Sequence, residues 1–221
     1  MIKIVSIKTR HPDLSRAQFR DHYESRHVPL GLGFIDRFRW RKYVRNHVVG
    51  TLFGDAGFDC LTEFWVASAA DQARTSEFVQ SAEFDALDKD DGRFLDVTRR
   101  LSFECEERVL AGPERIVERS GARRIAMLFT RRASEDAAGF SAGIEELGRR
   151  LAAEHEGSCH RVAVDHRVSD EAGELELAAM LSVWPQSGAE VPDAGGWLGD
   201  AAPSAILDLE LVETPPGALW R

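Results

Sequence analysis

Short apolar runs rich in β-branched residues alternate with amphipathic helical segments along this chain of 221 residues. The order β-α-β-β-α-β fits the first half of the sequence and recurs in the second. That order is the split unit of the ferredoxin-like fold. We therefore predict an α+β protein built from two tandem ferredoxin-like units. The predicted boundaries are 1–110 for the first unit, 111–121 for a linker, 122–213 for a degenerate second unit and 214–221 for an irregular tail.

The first helix carries the clearest local signals. Ser15 and Gln18 have the spacing of a capping box, which places the N-terminus of the helix. Phe19, Tyr23 and His27 then recur every four residues, so their side chains share one helical face. Because that face carries two aromatic rings, we expect it to turn toward the sheet and to take His27 with it.

Proline and polar clusters predict where the helices end. Pro29 is expected to stop the first helix, because the residue before a proline is disfavoured in the helical conformation. Ala69–Leu87 is predicted to be helical with a break near Ser81, and Asp88–Gly92 to be a loop. The predicted strands of the first half are Ile2–Thr9, Phe38–Gly50, Asp59–Ala67 and Thr98–Leu110.

The second half repeats this order less clearly. Its predicted strands are Arg123–Thr130, Cys159–Val168, Glu174–Trp184 and Ser204–Val212, with a helix over Ser134–His155. Ser169–Gly173 is predicted to be a turn, and Gly188–Ala202 to hold at most a short helix. No His-x-Pro sequence follows this helix. The candidate catalytic residues therefore lie in the first half of the chain.

Charge and cysteine content restrict the class of partner and the compartment. The net charge is −9, and residues 111–221 contain no lysine. Since phosphate binding needs a positive face, we expect no nucleic-acid partner. No apolar run approaches the roughly 20 residues that span a bilayer, so no membrane partner is expected. Three widely spaced cysteines and an N-terminal strand in place of a signal peptide predict a cytoplasmic protein.

The second strand adds polar residues to the histidine of the first helix. Tyr43, Arg45 and His47 alternate onto one side of it, and Asn46 onto the other. If the Tyr43 side faces the helices, then Tyr43 and His47 meet His27 in one cleft. A partly desolvated imidazole beside a phenol can act as a general base near neutral pH. The alternatives are a histidine that caps helix-end carbonyls and a tyrosine that packs against a neighbouring strand.

The sequence offers no metal site. His22 and His27 are five residues apart, which on an α-helix turns their side chains about 140° from each other. Glu24 is expected to lie on the face opposite the sheet. We therefore predict that these residues do not share a metal ion. The motifs of serine hydrolases, P-loop NTPases, dinucleotide-binding enzymes and HExxH zinc proteases do not occur.

An ordered set of short motifs resembles a known family. They are Ile2–Lys3, Leu14–Ser15, Phe19–Arg20, His27–Val28–Pro29–Leu30, Tyr43 to Val48, Asp59, Glu63–Phe64–Trp65 and Phe94–Leu95–Asp96. Over residues 1–108 the chain resembles the EthD family of the dimeric α/β-barrel superfamily. The resemblance implies a sheet that pairs with a second copy, here from an intrachain pseudo-dimer or a homodimer. It also implies a pocket between the sheet and the helices.

The resemblance further implies the kind of chemistry. Superfamily members include polyketide cyclases, cofactor-free monooxygenases, muconolactone isomerases and haem-binding proteins. We expect a cofactor-independent enzyme, a lyase (dehydratase or decarboxylase) or a cyclase, acting on a hydrophobic aromatic or polyketide-like molecule. His27 would move a proton, Tyr43 would donate to a developing oxyanion, and His47 would be a second acid or base. The alternatives are a non-catalytic binding or accessory protein, a cofactor-free monooxygenase and a haem-linked protein.

Four further residues are candidate substrate-binding residues: Tyr23, Asn46, Glu63 and Trp65. Other roles remain open for three of them. The alternative roles are a contact that fixes the following loop for Asn46, an ion pair with an arginine on a neighbouring strand for Glu63, and core packing for Trp65. The expected partner is a small hydrophobic molecule, and no cofactor or metal is expected.

Overall fold

The computed structural model describes residues 1–132, 134–168, 177–186 and 203–220. In chain order its strands and α-helices are β1 (Ile2–Lys8), α1 (Arg16–His22), α2 (Val28–Leu32), α3 (Ile35–Phe38), β2 (Lys42–Gly54), β3 (Cys60–Val66), α4 (Ala69–Val79), α5 (Asp85–Phe94), β4 (Leu101–Ala111), β5 (Arg123–Thr130), α6 (Ala137–Glu154), β6 (Cys159–Arg167), β7 (Leu177–Pro185) and β8 (Ala205–Glu213). The strand pairs with a defined register are all antiparallel, and the α+β class is confirmed.

The chain divides into two compact units. The first comprises Met1–His47, Gly57–Phe103 and Glu213–Arg221, and the second comprises Val48–Ala56 and Glu104–Val212. Strands β2 and β4 therefore each contribute residues to both units. The domain boundaries that the sequence suggested stay a prediction.

In the first unit, β3 lies between β1 and the first part of β2. Glu63 is opposite Val5 on one side and opposite Val44 on the other. Strand alternation sends Cys60 and Val66 of β3 toward the helices, where they join a core of aromatic and aliphatic side chains. That core consists of Phe19, Tyr23, Val28, Phe38, Trp40, Tyr43, Cys60, Val66, Phe78, Leu87, Phe94, Leu95 and Leu219.

The first helix begins as predicted but does not end where predicted. Ser15 is the N-cap of α1, and its capping box with Gln18 is complete. The chain then continues through a π-helical turn, Tyr23–His27, directly into α2. Pro29 does not stop the helix, because it occupies one of the first two positions of α2, where a backbone N–H is not required.

The second helical stretch also differs from its prediction at one end. The break near Ser81 is confirmed, since a short 3₁₀ turn over Ala82–Phe84 separates α4 from α5. Asp88–Gly92, however, is part of α5 and not a loop. Two of its aspartates are buried on the inner face of the helix, so the acidic run does not mark a solvated segment.

The second unit is built on β5, which lies between β7 and β8. Met127 of β5 is opposite Leu181 of β7 and Ile206 of β8. β6 pairs with β7 on its other edge, and α6 packs its apolar face on this sheet. The predicted turn at 169–173 and the predicted Gly/Pro-rich segment at 188–202 lie outside the described residues. No helix in the described part of the chain is long and apolar enough to cross a membrane.

Candidate functional site

A cavity of about 380 Å³ lies inside the first unit, between the sheet and the helices. Its residues fall into an apolar group and a polar group. The apolar group includes Ile4, Phe38, Trp40, Phe64, Val79, Phe84 and Leu87. The polar group includes Ser6, Lys8, Tyr23, His27, Tyr43, Asp91, Arg100 and Ser102. The predicted cleft that joins His27 to Tyr43 therefore exists.

Two tyrosine hydroxyls form a chain in this cavity. Tyr43 donates a hydrogen bond of 3.4 Å to Tyr23, whose own hydroxyl lies 2.7 Å from Thr62 Oγ1. Both tyrosine side chains are almost fully buried. Burial disfavours a phenolate, and it raises the pKa of both hydroxyls well above 10. Each phenol is therefore a neutral donor at physiological pH.

The π-helical turn brings together two histidines that an α-helix would separate. The backbone N–H of Val28 donates to the carbonyl of Tyr23, five residues back, so this turn holds one residue more than an α-helical turn. As a result, His22 and His27 both reach one carboxylate. Asp90 Oδ1 lies 3.0 Å from His22 Nε2, and Asp90 Oδ2 lies 3.0 Å from His27 Nδ1. The predicted divergence of the two side chains is wrong.

Asp90 determines which ring nitrogen of His27 carries the hydrogen in the neutral form. A carboxylate only accepts, so Nδ1 of a neutral His27 donates to Asp90, and Nε2 is left as the free acceptor. Burial lowers the pKa of His27 below 6.5, although Asp91 and Asp90 favour the charged ring and oppose this. Nε2 lies 3.5 Å from Asp91 Oδ1, a buried oxygen that accepts no hydrogen bond within the described residues. His27 can thus accept a proton at neutral pH.

His47 belongs to a separate polar network beside the cavity. Its Nε2 lies 2.6 Å from Glu24 Oε1, and Arg45 donates to both oxygens of the same carboxylate, at 3.2 and 2.8 Å. Burial works against the charged ring, but the Cys60 sulfur and Glu24 outweigh it and raise the pKa of His47 to about 9. Glu24 therefore faces the sheet, contrary to the prediction, because the π-helical turn changes the facing of the helix. His47 does not line the cavity.

The remaining predicted site residues lie elsewhere in the first unit. Asn46 points to the other side of β2 and donates to the carbonyl of Leu61 at 2.9 Å. Glu63 forms a buried ion pair of 3.1 Å with Lys3, and Trp65 packs against the Lys3 ammonium at 4.9 Å from the ring centroid. None of Asn46, Glu63 and Trp65 lines the cavity. Their predicted roles in substrate binding stay predictions.

Three charged residues of the cavity were missed by sequence reasoning: Lys8, Asp91 and Arg100. Asp91 lies in the segment that the sequence predicts to be a loop, and Arg100 directly precedes β4. For Lys8 a signal existed, because strand alternation places it on the same side of β1 as Ile4 and Ser6, both of which line the cavity.

The described residues contain no group of three or more His, Cys, Asp or Glu side chains arranged to hold a metal ion. His22, His27 and Asp90 come together through hydrogen bonds of 3.0 Å. These contacts orient both imidazoles on the Asp90 carboxylate.

Comparisons with known proteins agree with the fold. No curated protein matches the chain significantly in sequence. A structure described provisionally as a monooxygenase, from Fusobacterium nucleatum subsp. nucleatum, has a TM-score of 0.54 and 8% identity, covering 95% of this chain and 91% of that one. A provisionally described chlorite dismutase has a TM-score of 0.53 and 10% identity, covering 98% and 97%. An anthrone oxidase-like protein has a TM-score of 0.52 and 12% identity, covering 96% and 92%.

These likenesses establish the fold alone, an antiparallel α+β fold similar to that of dimeric α/β-barrel proteins. In sequence, the model of the EthD domain matches residues 11–98. The matched range holds Tyr23, His27, Tyr43, Asp90 and Asp91, and so most of the polar groups of the cavity. The predicted resemblance is confirmed: residues 11–98 of this chain match the EthD domain.

Proposed function

We propose that the cavity of the first unit is the active site of a cofactor-independent enzyme. The enzyme would be a lyase (dehydratase or decarboxylase) or a cyclase, and it would act on a hydrophobic aromatic or polyketide-like molecule. The observation that carries the proposal is the hydrogen bond of 3.0 Å between His27 and Asp90 at a cavity with aromatic walls. It leaves one imidazole nitrogen free to accept a proton beside a pair of neutral phenols.

The chemistry that this arrangement supports begins with removal of an acidic C–H proton. His27 Nε2 accepts the proton, and Asp90 stabilises the imidazolium that forms. The electron pair left on carbon delocalises onto a neighbouring carbonyl oxygen. Tyr43 then donates a hydrogen bond to that oxyanion, and it can do so readily because its present bond to Tyr23, at 3.4 Å, is long. Loss of a β-hydroxyl or ring closure can follow from such an enolate. Loss of carbon dioxide from a β-keto acid would instead generate the same enolate directly, with Tyr43 donating to its oxygen and the protonated His27 returning a proton to carbon.

Haem with His27 as its axial ligand does not fit these residues. Asp90 holds Nδ1, so Nε2 is the nitrogen that would bind iron. Asp91 Oδ1 lies 3.5 Å from Nε2, where the metal and its macrocycle would need space.

The test uses 2-tetralone, a neutral bicyclic ketone with acidic protons beside its carbonyl. In deuterated buffer, proton NMR measures the rate at which these protons exchange. We expect the wild-type protein to accelerate exchange, and His27→Gln to lose about a hundredfold or more of that acceleration. His11→Gln, at a partly exposed histidine of the β1–α1 connection, is the matched control and should exchange as the wild type does.

The opposite outcome identifies the alternative function. If 2-tetralone binds but exchanges no faster than in buffer, the acid–base proposal is wrong and the EthD domain is a binding or accessory protein. If His27→Gln exchanges at the wild-type rate, His27 is not the base.

We also propose that residues 122–213 are a degenerate copy of residues 1–110. Counted from their N-caps, Ser15 of α1 and Asp136 of α6, both helices carry a glutamate nine residues on. Glu24 lies 2.6 Å from His47 in the first unit, and Glu145 lies 3.5 Å from His166 in the second. The same acid–imidazole pair in each unit supports a tandem origin.

The second copy would have lost the site. In α6, an added Cβ at Gly148 would meet side-chain atoms of Leu110 and Leu181. This helix therefore packs tightly on its own sheet, which supports the loss of a cavity in the second unit. Whether the chain forms an intrachain pseudo-dimer or a homodimer is decided by its native mass. The free thiols of Cys60, Cys105 and Cys159 support a cytoplasmic location.

A further inference from the structure

The polar end of the cavity (Ser6, Lys8, Asp91, Arg100 and Ser102) contains groups that the proposed proton transfer does not use. Lys8 is the most informative of them. Within the described part of the chain, its ammonium forms no hydrogen bond and no ion pair. Burial lowers the pKa of Lys8 from 10.5, and the charge of Arg100 adds to this, while Asp91 favours the ammonium.

Asp91 makes no ion pair with Lys8 within the described residues. Its Oδ2 pairs with Arg100 Nη2 at 3.4 Å, and its Oδ1 faces His27 Nε2 at 3.5 Å without accepting a hydrogen bond. Arg100 also pairs with Asp88 at 2.7 Å. The polar end therefore retains one ammonium whose charge is not balanced by a direct contact. Enclosing such a charge is costly unless an anion approaches it.

A second donor faces the same end. Ser102 Oγ donates to Ser6 Oγ at 2.8 Å, so the hydroxyl hydrogen of Ser6 remains for another acceptor. Ser6 and Lys8 are two residues apart on β1, on one side of the strand, and both line the cavity. An ammonium and a hydroxyl on one strand face suit an oxygen anion.

The opposite end of the cavity is aromatic. Trp40 stacks on Phe64 with a centroid distance of 4.5 Å, and Phe38 stacks on Trp40 at 4.0 Å. These rings suit a flat, apolar body. The cavity volume falls within the range of about 300–1,000 Å³ that is usual for small-molecule sites.

We propose that the cavity binds an aromatic acid, with its rings among Phe38, Trp40 and Phe64 and its carboxylate or phenolate oxygen paired with Lys8. This inference rests on the proposed function, because it names the substrate class of the same site. Lys8 is then a binding residue that selects the anionic form of the substrate and orients it. His27, at the same cavity, receives the part of the molecule that carries the acidic proton.

The test compares two probes of equal shape, 2-naphthoate and its neutral amide, 2-naphthamide, by isothermal titration calorimetry. We expect the wild-type protein to prefer naphthoate by about tenfold or more, since a desolvated charge pair contributes strongly to affinity. Lys8→Met should abolish the preference and bind naphthamide as the wild type does. Lys8→Arg should restore a preference for the anion.

Lys89→Met is the matched control, because it removes the same charge from an exposed position on α5. It should keep the wild-type preference. Equal binding of the two probes by the wild type, binding of neither, or an unchanged preference in Lys8→Met would overturn the inference. Should Lys8→Met not fold, the wild-type preference and Lys8→Arg still decide the matter.

A covalent role for Lys8 would also overturn the inference. Treatment with 2-naphthaldehyde and borohydride, followed by mass spectrometry, should give no reduced imine on Lys8. Because equilibrium binding of naphthoate needs no proton transfer, His27→Gln should keep the anion preference. Failure of the acid–base proposal and failure of the anion proposal are therefore separate results.

Discussion

His27 Nδ1 lies 3.0 Å from Asp90 Oδ2, across 63 residues of sequence. This pair orients the imidazole and leaves its Nε2 at the cavity. A second histidine, His22, bonds the other oxygen of the same carboxylate. Asp90 is therefore the positioning residue of the candidate site, and its effect can be measured without a known substrate.

Asp90→Asn should lower the pKa of His27 further. Burial already places this pKa below 6.5, and the Asp90 carboxylate opposes burial by favouring the imidazolium. Removing that carboxylate removes the opposition, so the ring should titrate at lower pH than in the wild type. NMR titration of the histidine ring protons measures the change. A titration in Asp90→Asn that is unchanged or moves to higher pH would contradict the assigned contact.

The two tyrosines should resist ionisation up to the point of alkaline unfolding. The chain contains only Tyr23 and Tyr43, so the ultraviolet phenolate band reports on the site alone. Burial raises the pKa of both phenols, so no absorbance step is expected at pH 10, the ordinary value. A phenolate step near pH 10 in the folded protein would exclude the buried pair.

Tyr43→Phe should reduce the exchange of 2-tetralone about a hundredfold, because the oxyanion loses its donor.

Glu24→Gln should destabilise the protein most at neutral and mildly acidic pH. His47 has a pKa of about 9 in the folded protein, against an ordinary 6.5. Its raised pKa therefore contributes stability that is complete below about 6.5 and is lost as the pH rises through about 9. We expect a loss of about 2–3 kcal/mol at pH 7, which becomes smaller at pH 10.

Urea unfolding at the two pH values measures this loss. Glu83→Gln breaks an exposed pair with Arg37 and should cost less than about 1 kcal/mol at either pH. A Glu24→Gln loss of the same size at both pH values would show that His47 does not take part.

Gly148→Ala should destabilise the protein although alanine favours helices. Its Cβ would collide with Leu110 and Leu181, and such overpacking costs about 1–3 kcal/mol. Gly143→Ala, in the same helix with open space around its Cβ, should stabilise by up to about 1 kcal/mol. Thermal unfolding compares the two variants. Equal changes in unfolding temperature for the two variants would contradict the proposal that tight packing takes the place of the cavity in the second unit.

Local signals predicted the framework of the first unit well. Ser15 and Gln18 defined the start of α1. Strand alternation put Tyr43 and His47 on one side of β2, and in the structure this side faces Tyr23 and Glu24. These features depend on neighbours in sequence, which a pattern records. A cleft between His27 and Tyr43 depended in addition on which side of β2 faces the helices, which alternation leaves open.

The rest of the site depends on contacts that no local pattern records. Asp90 and Asp91 lie in a run of acidic residues that is typical of a solvated loop, and only the fold shows that they are buried against His27. The π-helical turn leaves no signal in residue preference, so the predicted directions of the His22 and Glu24 side chains were wrong. Lys8 had a signal in alternation, but a single lysine at the end of a strand does not indicate a cavity.

The wide turn at Tyr23–His27 sets the spacing at which two imidazoles can meet one acid. On a regular α-helix, residues five apart point about 140° from each other, whereas residues four apart point only about 40° from each other. The additional residue of the wide turn lets a spacing of five act as a spacing of four, so both rings reach Asp90. A helix without that residue would need its two histidines four positions apart to hold the same acid.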